Sequence, residues 1–335
     1  MIGRARAIAA ITCVAIALVV SRATAAGVLA PVLEQVTDVA LPGPAVRFDY
    51  QTIDTTANRL YFSHMNAGEV LVLDLTTRTI VGTVRDLPRV TGVWCVPTLG
   101  KVYASVPGHH HVAVINARTL TVEARVGAIG FPDGIAYAPG VKKVYVSDES
   151  GRGELVIDGE SDRVVTTIDL GGEAGNTLYD PASAHILVAV QTKNQVVEID
   201  PTLDRIVARH DLSGASHPHG MSVDATRRLL FVASEGNATL QAVDLRTWKV
   251  VDRQPVGDDP DVLAFDPDWR RLYVAAESGP VTVFSEVAGK LALAGQVTLP
   301  HGHTVSVDPR THLVYFPLQD VGGHPVLRIM AGQKP

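Results

Sequence analysis

The chain reads as all-β, a seven-bladed β-propeller with an N-terminal strand closing the last blade. Three observations lead there. Segment 217–235, HPHGMSVDATRRLLFVASE, holds a His-rich lead-in, an inner strand, a tight polar turn and a second strand ending on an acid; the same grammar recurs at 47–65, 89–107, 131–149, 173–191, 259–277 and 301–319. Anchored on the large residue of the second strand (Tyr61, Tyr103, Tyr145, Leu187, Phe231, Tyr273, Tyr315), the copies step by 42, 42, 42, 44, 42 and 42 residues. A fixed period of this size with strand alternation inside each unit marks a blade-built ring. Finally, the chain ends complement each other. Residues 32–41 look like an outermost strand without a blade, and the last unit, with strands expected at 303–308, 313–318 and near 325–330, lacks its fourth. Joining the two removes an exposed sheet edge.

Taken in order, residues 1–25 stand outside the fold. Arg4 and Arg6 form a basic start, Ala7 to Val20 an apolar run, and Ala23-Thr24-Ala25 a small-residue cleavage site, as in a secretory signal peptide. The run falls short of the about 20 apolar residues a membrane span needs. The expectation is an exported protein, periplasmic or secreted, with one propeller domain over 26–335. Cys13 would leave with the signal, so Cys95 has no partner for an intrachain disulfide and is expected as a buried, inert thiol. A mature chain of about 310 residues exceeds the usual single core, but repeat folds grow by adding units. The net charge is −6 and no basic cluster is interleaved with aromatics, which argues against a nucleic-acid partner.

The third strands end on Asp74, Asn116, Asp158, Asp200 and Asp244. A short acceptor there can bond the backbone of the following turn, so these side chains read as structural. The second strands (KVYAS, KVYVSD, RLYVAA, LVYFP), with Pro-Asp-Gly or Pro-His-Gly opening the strand before, resemble the YVTN-type β-propeller repeat family of bacteria across essentially the whole mature chain. The resemblance implies architecture. Related propellers carry out lactone hydrolysis, lyase chemistry or plain binding, so function has to come from the site.

In a four-stranded blade the start of strand one and the end of strand two lie at the same face, and their loops share one mouth of the ring. Aligning the repeats gives a column Asp49, Thr91, Asp133, Gly175, His219, Asp261, His303. Two residues earlier runs Arg47, Arg89, Phe131, Glu173, His217, Asp259, His301. Residues i and i+2 on an extended strand point the same way, so each His-x-His or Asp-x-Asp pair is expected to grip one ion or substrate. The expected ligands of a divalent metal cofactor are His217, His219, His301, His303 and Asp259; imidazole with carboxylate suits zinc, iron, manganese or copper. His219, His303 and Asp261 are the candidate catalytic residues: the metal would polarise a carbonyl or activate water while a neutral His moves the proton. Arg47, Asp49, Arg89, Asp133, Glu235 and Glu277 are the candidate substrate contacts, with the arginines holding an anionic end. Asp148, Glu149, His64 and the run His109-His110-His111 belong to loops of the same mouth.

A plainer account is that polar residues there satisfy loop backbone at a wet rim. His185, His210 and His312 fall at outer-strand or turn positions and read as structural. The first-to-second-strand turns carry Arg59, Lys101, Lys142, Lys143, Arg227, Arg228, Arg270, Arg271 and Arg310, which turn polarity alone accounts for. Two functions follow: a metal-dependent lyase or hydrolase acting on a small anionic or ester substrate, or a non-catalytic periplasmic propeller that binds a protein, a glycan or a metal. A monomer with a small-molecule ligand or a periplasmic protein partner is expected.

Overall fold

In the computed structural model, which describes residues 31–334, 28 strands form seven four-stranded antiparallel sheets. The expected signal segment lies outside the described residues. Blade one is Gln51–Asp54, Arg59–His64, Glu69–Asp74 and Thr79–Val84, and blades two to six repeat this order outward from the axis. Blade seven runs Ser306–Val307, Leu313–Val321, His324–Gly332 and then Leu33–Ala40, so the N-terminal strand is its outermost member. That strand pairs from Leu33 opposite Gly332 to Ala40 opposite Val326, and Arg328 grips Asp38 with two hydrogen bonds of 2.8 and 2.7 Å. The innermost strand of blade seven is only two residues long, and His303 precedes it in irregular backbone.

The core lies between blades. Tyr61, Tyr103, Tyr145, Phe231, Tyr273 and Tyr315 are essentially buried, each from the middle strands of a sheet whose two faces both meet a neighbour. A sheet covered on both sides reads as a near-continuous apolar run, and KVYASV or RLLFVAS does. Tyrosine adds a polar tip that reaches the next blade. The Tyr103 hydroxyl donates to Asp162 at 3.2 Å while Lys101 meets the same carboxylate at 2.7 Å; Tyr145 and Lys143 repeat the device on Asp204 at 2.7 and 2.6 Å.

Turns follow side-chain chemistry. Asp74, Asn116, Asp158, Asp200 and Asp244 each accept from a backbone N–H two or three residues on, at 2.7–3.0 Å, as their position implies. The preceding turn uses the same acceptor at Asp54, Asp180, Asp224, Asp266 and Asp308. The cations of that rim are largely engaged: Arg228 with Asp180, Arg227 with Asp224 and Glu286, Lys142 with Glu160, Arg310 with Asp308. Cys95 is buried and free, and burial pushes its thiol up to about 11, which keeps it unreactive. His185 and His210 share Glu198, and His312 bonds Asp266, so these three are structural.

Candidate functional site at the acidic mouth

Backbone irregularity positions the site. Strand pairing slips between Pro132 and Ile135, Ala174 and Thr177, Pro218 and Met221, and Pro260 and Leu263. A bulge at this point re-aims one side chain, and in blades three, five and six that side chain is Asp133, His219 and Asp261. A glycine at the following position in blades two, three and five lets successive inner strands approach. A Cβ on Gly92 would lie 1.9 Å from the carbonyl oxygen of Asp133, and one on Gly220 would lie 1.9 Å from that of Asp261. The Pro-Asp-Gly and Pro-His-Gly signatures therefore spell bulge, inward side chain and close backbone contact in sequence.

Six carboxylates meet at this mouth: Asp49, Asp133, Glu149, Glu235, Asp261 and Glu277, with Arg47, Tyr50 and His219, around a cavity of about 120 Å³. Below it the Tyr50 ring fills the axis. Its hydroxyl donates to Asp133 Oδ2 at 3.1 Å and faces His219 Nε2 at 3.2 Å. His219 Nε2 lies 3.4 Å from Asp261 Oδ1, and Nδ1 lies 3.6 Å from Glu235 Oε1. Burial works against a charged imidazole, but the hydrogen bond and charge of Asp261, then Glu235 and Asp133, push His219 up to about 10. It is therefore an imidazolium at neutral pH. Gln191 Nε2 lies 3.0 Å from Nδ1 and also donates to the Ala174 carbonyl at 3.3 Å.

Its partners divide. Burial also opposes the Asp261 carboxylate, but the hydrogen bond and charge of His219, with His303 and Arg47 behind, hold it below the ordinary range. Asp49 is pushed well above that range, first by burial and then by Asp261 and Asp133. Burial raises Asp133, Glu149 and Glu235 as well. His303 goes the other way: burial lowers it, so its ring is neutral. Its Nε2 is buried with no hydrogen-bond partner. Asp49, Asp261 and His303 offer ligand atoms that all lie within 4.8 Å of one another. Ligands on opposite sides of an ion at about 2.2 Å stand about 4.4 Å apart, so small inward movements complete the set.

One expectation changes. Of the residues two positions earlier, Arg47 and Phe131 line the mouth, but His217, Asp259 and His301 do not join their neighbours there. His217, Asp259 and His301 have φ of 51°, 51° and 59°, and all three are exposed. A left-handed residue ends the extended run, so the same-side rule for i and i+2 fails there. His and Asp tolerate that conformation better than most side chains, which gives the His-x-His and Asp-x-Asp pattern a backbone reason. Arg89 shares it (φ 58°) and is exposed, its guanidinium 5.1 Å from the Phe131 ring centre. The proton is also placed: of the two candidate histidines expected to include a neutral one, His219 is the cation and His303 the neutral imidazole.

The remaining candidates are placed as follows. Arg47 lies at the mouth but is committed to Glu277 at 2.7 Å and approaches Asp261 at 3.8 Å. His64 is fully buried, stacked on Phe48 at 4.1 Å beside Glu69, and Asp148 binds the backbone of Gly130, Phe131 and Gly151. His110 bonds the Gly130 carbonyl and His111 stacks on His109, away from the cluster. Tyr50 and Gln191 were missed. Both are odd members of their repeat columns: Tyr50 stands where blades two, three and five have Gly92, Gly134 and Gly220, and Gln191 where blades three, five and six have Glu149, Glu235 and Glu277.

Among solved structures the chain is similar to one titled hydrazine synthase, from Kuenenia stuttgartiensis, with a TM-score of 0.74 at 16% identity over 89% of this chain and 97% of that one. The likeness is one of propeller fold. No protein-family model matches the chain, and no curated protein matches it.

Proposed function

We propose that this is an exported, YVTN-like propeller whose acidic mouth binds a divalent cation on Asp49, Asp261 and His303, with a small polar ligand completing the ion's coordination. The observation that carries this reading is the neutral, buried His303, whose Nε2 has no partner among the described residues and which offers a ligand atom within 4.8 Å of those of two buried carboxylates. Electrostatics argue the same way. Six carboxylates face Arg47 and one imidazolium, and burial first, then the like charges of Asp261 and Asp133, hold Asp49 well above its ordinary range. A divalent ion relieves that repulsion, and an O,O,N donor set suits manganese, zinc or iron. The export signal and the periplasmic setting belong to the same proposal.

A metal bound here supplies a Lewis acid. The chain's own residues then orient and exclude: Arg47, already braced by Glu277, lines the approach, and the Tyr50 ring seals the floor. A second reading, metal-dependent lyase or hydrolase, draws on Glu149 and Glu235. Both line the mouth and both are raised by burial, as a carboxyl that trades protons near neutrality must be. A mouth this small favours a compact substrate over a drug-sized one.

The test is thermal unfolding with Mn²⁺, Zn²⁺ and Mg²⁺ titrated into chelator-treated protein. Selective binding to the native state raises Tm with ion concentration. The shift is expected in the wild type and absent in His303→Ala that still folds. No shift with any ion, or an equal shift in His303→Ala, overturns the proposal.

A further inference from the structure

Beneath the Tyr50 plug the tunnel opens into a second compartment of about 720 Å³, six times the volume of the mouth, and it reaches the opposite rim. Its chemistry is the reverse of the mouth's. None of its lining side chains is an acid, a base or a histidine. One ring of inner-strand positions presents Ile53, Tyr137, Tyr179, Val223, Phe265 and Val307, and at the far rim Pro97, Pro181, Pro267 and Pro309 stand in the turns. Proline has no N–H and a fixed φ, so at these four positions the backbone is stiff and offers the chamber no donor. A few neutral polar groups, Asn176, Ser222 and Ser306 among them, interrupt the apolar wall. Trp94 lies on the innermost strand of blade two and lines the chamber with 40% of its surface exposed; it is the only aromatic among the exposed large hydrophobic side chains of the described residues.

These features are those of a ligand pocket. Small-molecule sites occupy about 300–1,000 Å³, bury most of the ligand and pair apolar walls with a few placed polar groups. An indole left open on a concave wall offers a stacking face. The absence of charge selects the occupant, because an ion entering this chamber would lose hydration with no counter-charge to replace it. Tyr50 lines both compartments and reaches across from blade one to Asp133 and His219, which narrows the inner end and favours a small molecule over a threaded chain.

We propose that the chamber is a second binding site, distinct from the acidic mouth, for an uncharged, largely apolar aromatic molecule that enters at the proline rim and stacks on Trp94. This goes beyond the cation reading and does not depend on it.

The experiment uses the uncharged fluorophore N-phenyl-1-naphthylamine with the mature full-length protein. Trp248 and Trp269 stack on His210 and His312 elsewhere in the ring, so Trp94 is the tryptophan at the chamber. Saturable emission with a stoichiometry of one is expected, with energy transfer from tryptophan. Ser222→Trp, which fills the chamber from a half-buried position, is expected to abolish binding; Trp94→Ala, at an already exposed side chain, is expected to weaken it at least about tenfold by loss of stacking area. Circular dichroism checks that each variant is folded. Should Ser222→Trp not fold, Trp94→Ala alone decides. Absent or non-saturable binding overturns the proposal, as does unchanged affinity in whichever folded variants are obtained.

Discussion

Glu154 gives the sharpest prediction about stability. It lies on the third strand of blade three, fully buried, with both carboxyl oxygens lacking a hydrogen-bond partner. Thr177 partly offsets the effect of burial on this carboxyl, but its hydroxyl makes no hydrogen bond to the described residues. Burial raises the carboxyl from 4.5 to about 8, so the group is protonated in the folded chain at pH 7 and ionised in the unfolded one. A folded-state value raised above the unfolded one means native stability is greatest below pH 4.5 and is lost progressively up to about pH 8. At about 1.4 kcal/mol per pH unit, the loss at pH 7 is about 3 kcal/mol. Glu154→Gln keeps the shape of the neutral acid and removes the titration. In urea unfolding, the variant is expected to match the wild type near pH 4.5, to exceed it by about 3 kcal/mol at pH 7, and to hold a constant lead above pH 8. A difference independent of pH, or a variant less stable throughout, would refute the reasoning.

Other expectations follow from the same contacts. Deleting residues up to 45 removes the outer strand of blade seven and the Arg328–Asp38 pair; Tm should fall, and adding the 31–45 peptide in trans should restore part of it. Tyr145→Phe loses the hydroxyl contact to Asp204 and should cost about 1–2 kcal/mol in denaturant unfolding, with a larger combined loss than the sum if Lys143 is also replaced, since both act on one carboxylate. Cation affinity should weaken as pH falls, because Asp49, held above the ordinary carboxylate range, must lose its proton to ligate; calorimetry at several pH values reads this directly, and affinity independent of pH speaks against Asp49 as ligand. His219→Gln strands the buried Asp261 charge and should destabilise by about 3–5 kcal/mol, measured by chemical unfolding near neutral pH.

The architecture was legible because a ring repeats itself: one step of 42 residues, seen seven times, places every inner strand, every Asx turn and every inter-blade tyrosine. The columns also picked out Asp49, Asp133, His219, Asp261 and His303, since each blade brings the homologous position to the same mouth, by a bulge at Asp133, His219 and Asp261 and by irregular backbone at His303. What the columns could not show was backbone sign. His217, Asp259 and His301 look like ligands to an alternation rule that assumes extended chain, and a single left-handed residue per blade defeats it. Nor could spacing assign protons. Which of two histidines is charged depends on which one meets Asp261 within hydrogen-bond distance and which is buried without such a partner, and that is a three-dimensional fact. Tyr50 sat in plain view as the bulky member of a glycine-rich column, legible only to a reader who treats departures from a repeat as information.

The cation reading turns on which imidazole holds the ion, and electron spin-echo modulation of bound Mn²⁺ reports this. The account predicts coupling to a single histidine nitrogen that persists in His219→Gln and vanishes in His303→Ala. Coupling that survives His303→Ala but is lost in His219→Gln, or no bound Mn²⁺ in the wild-type chain, would contradict it.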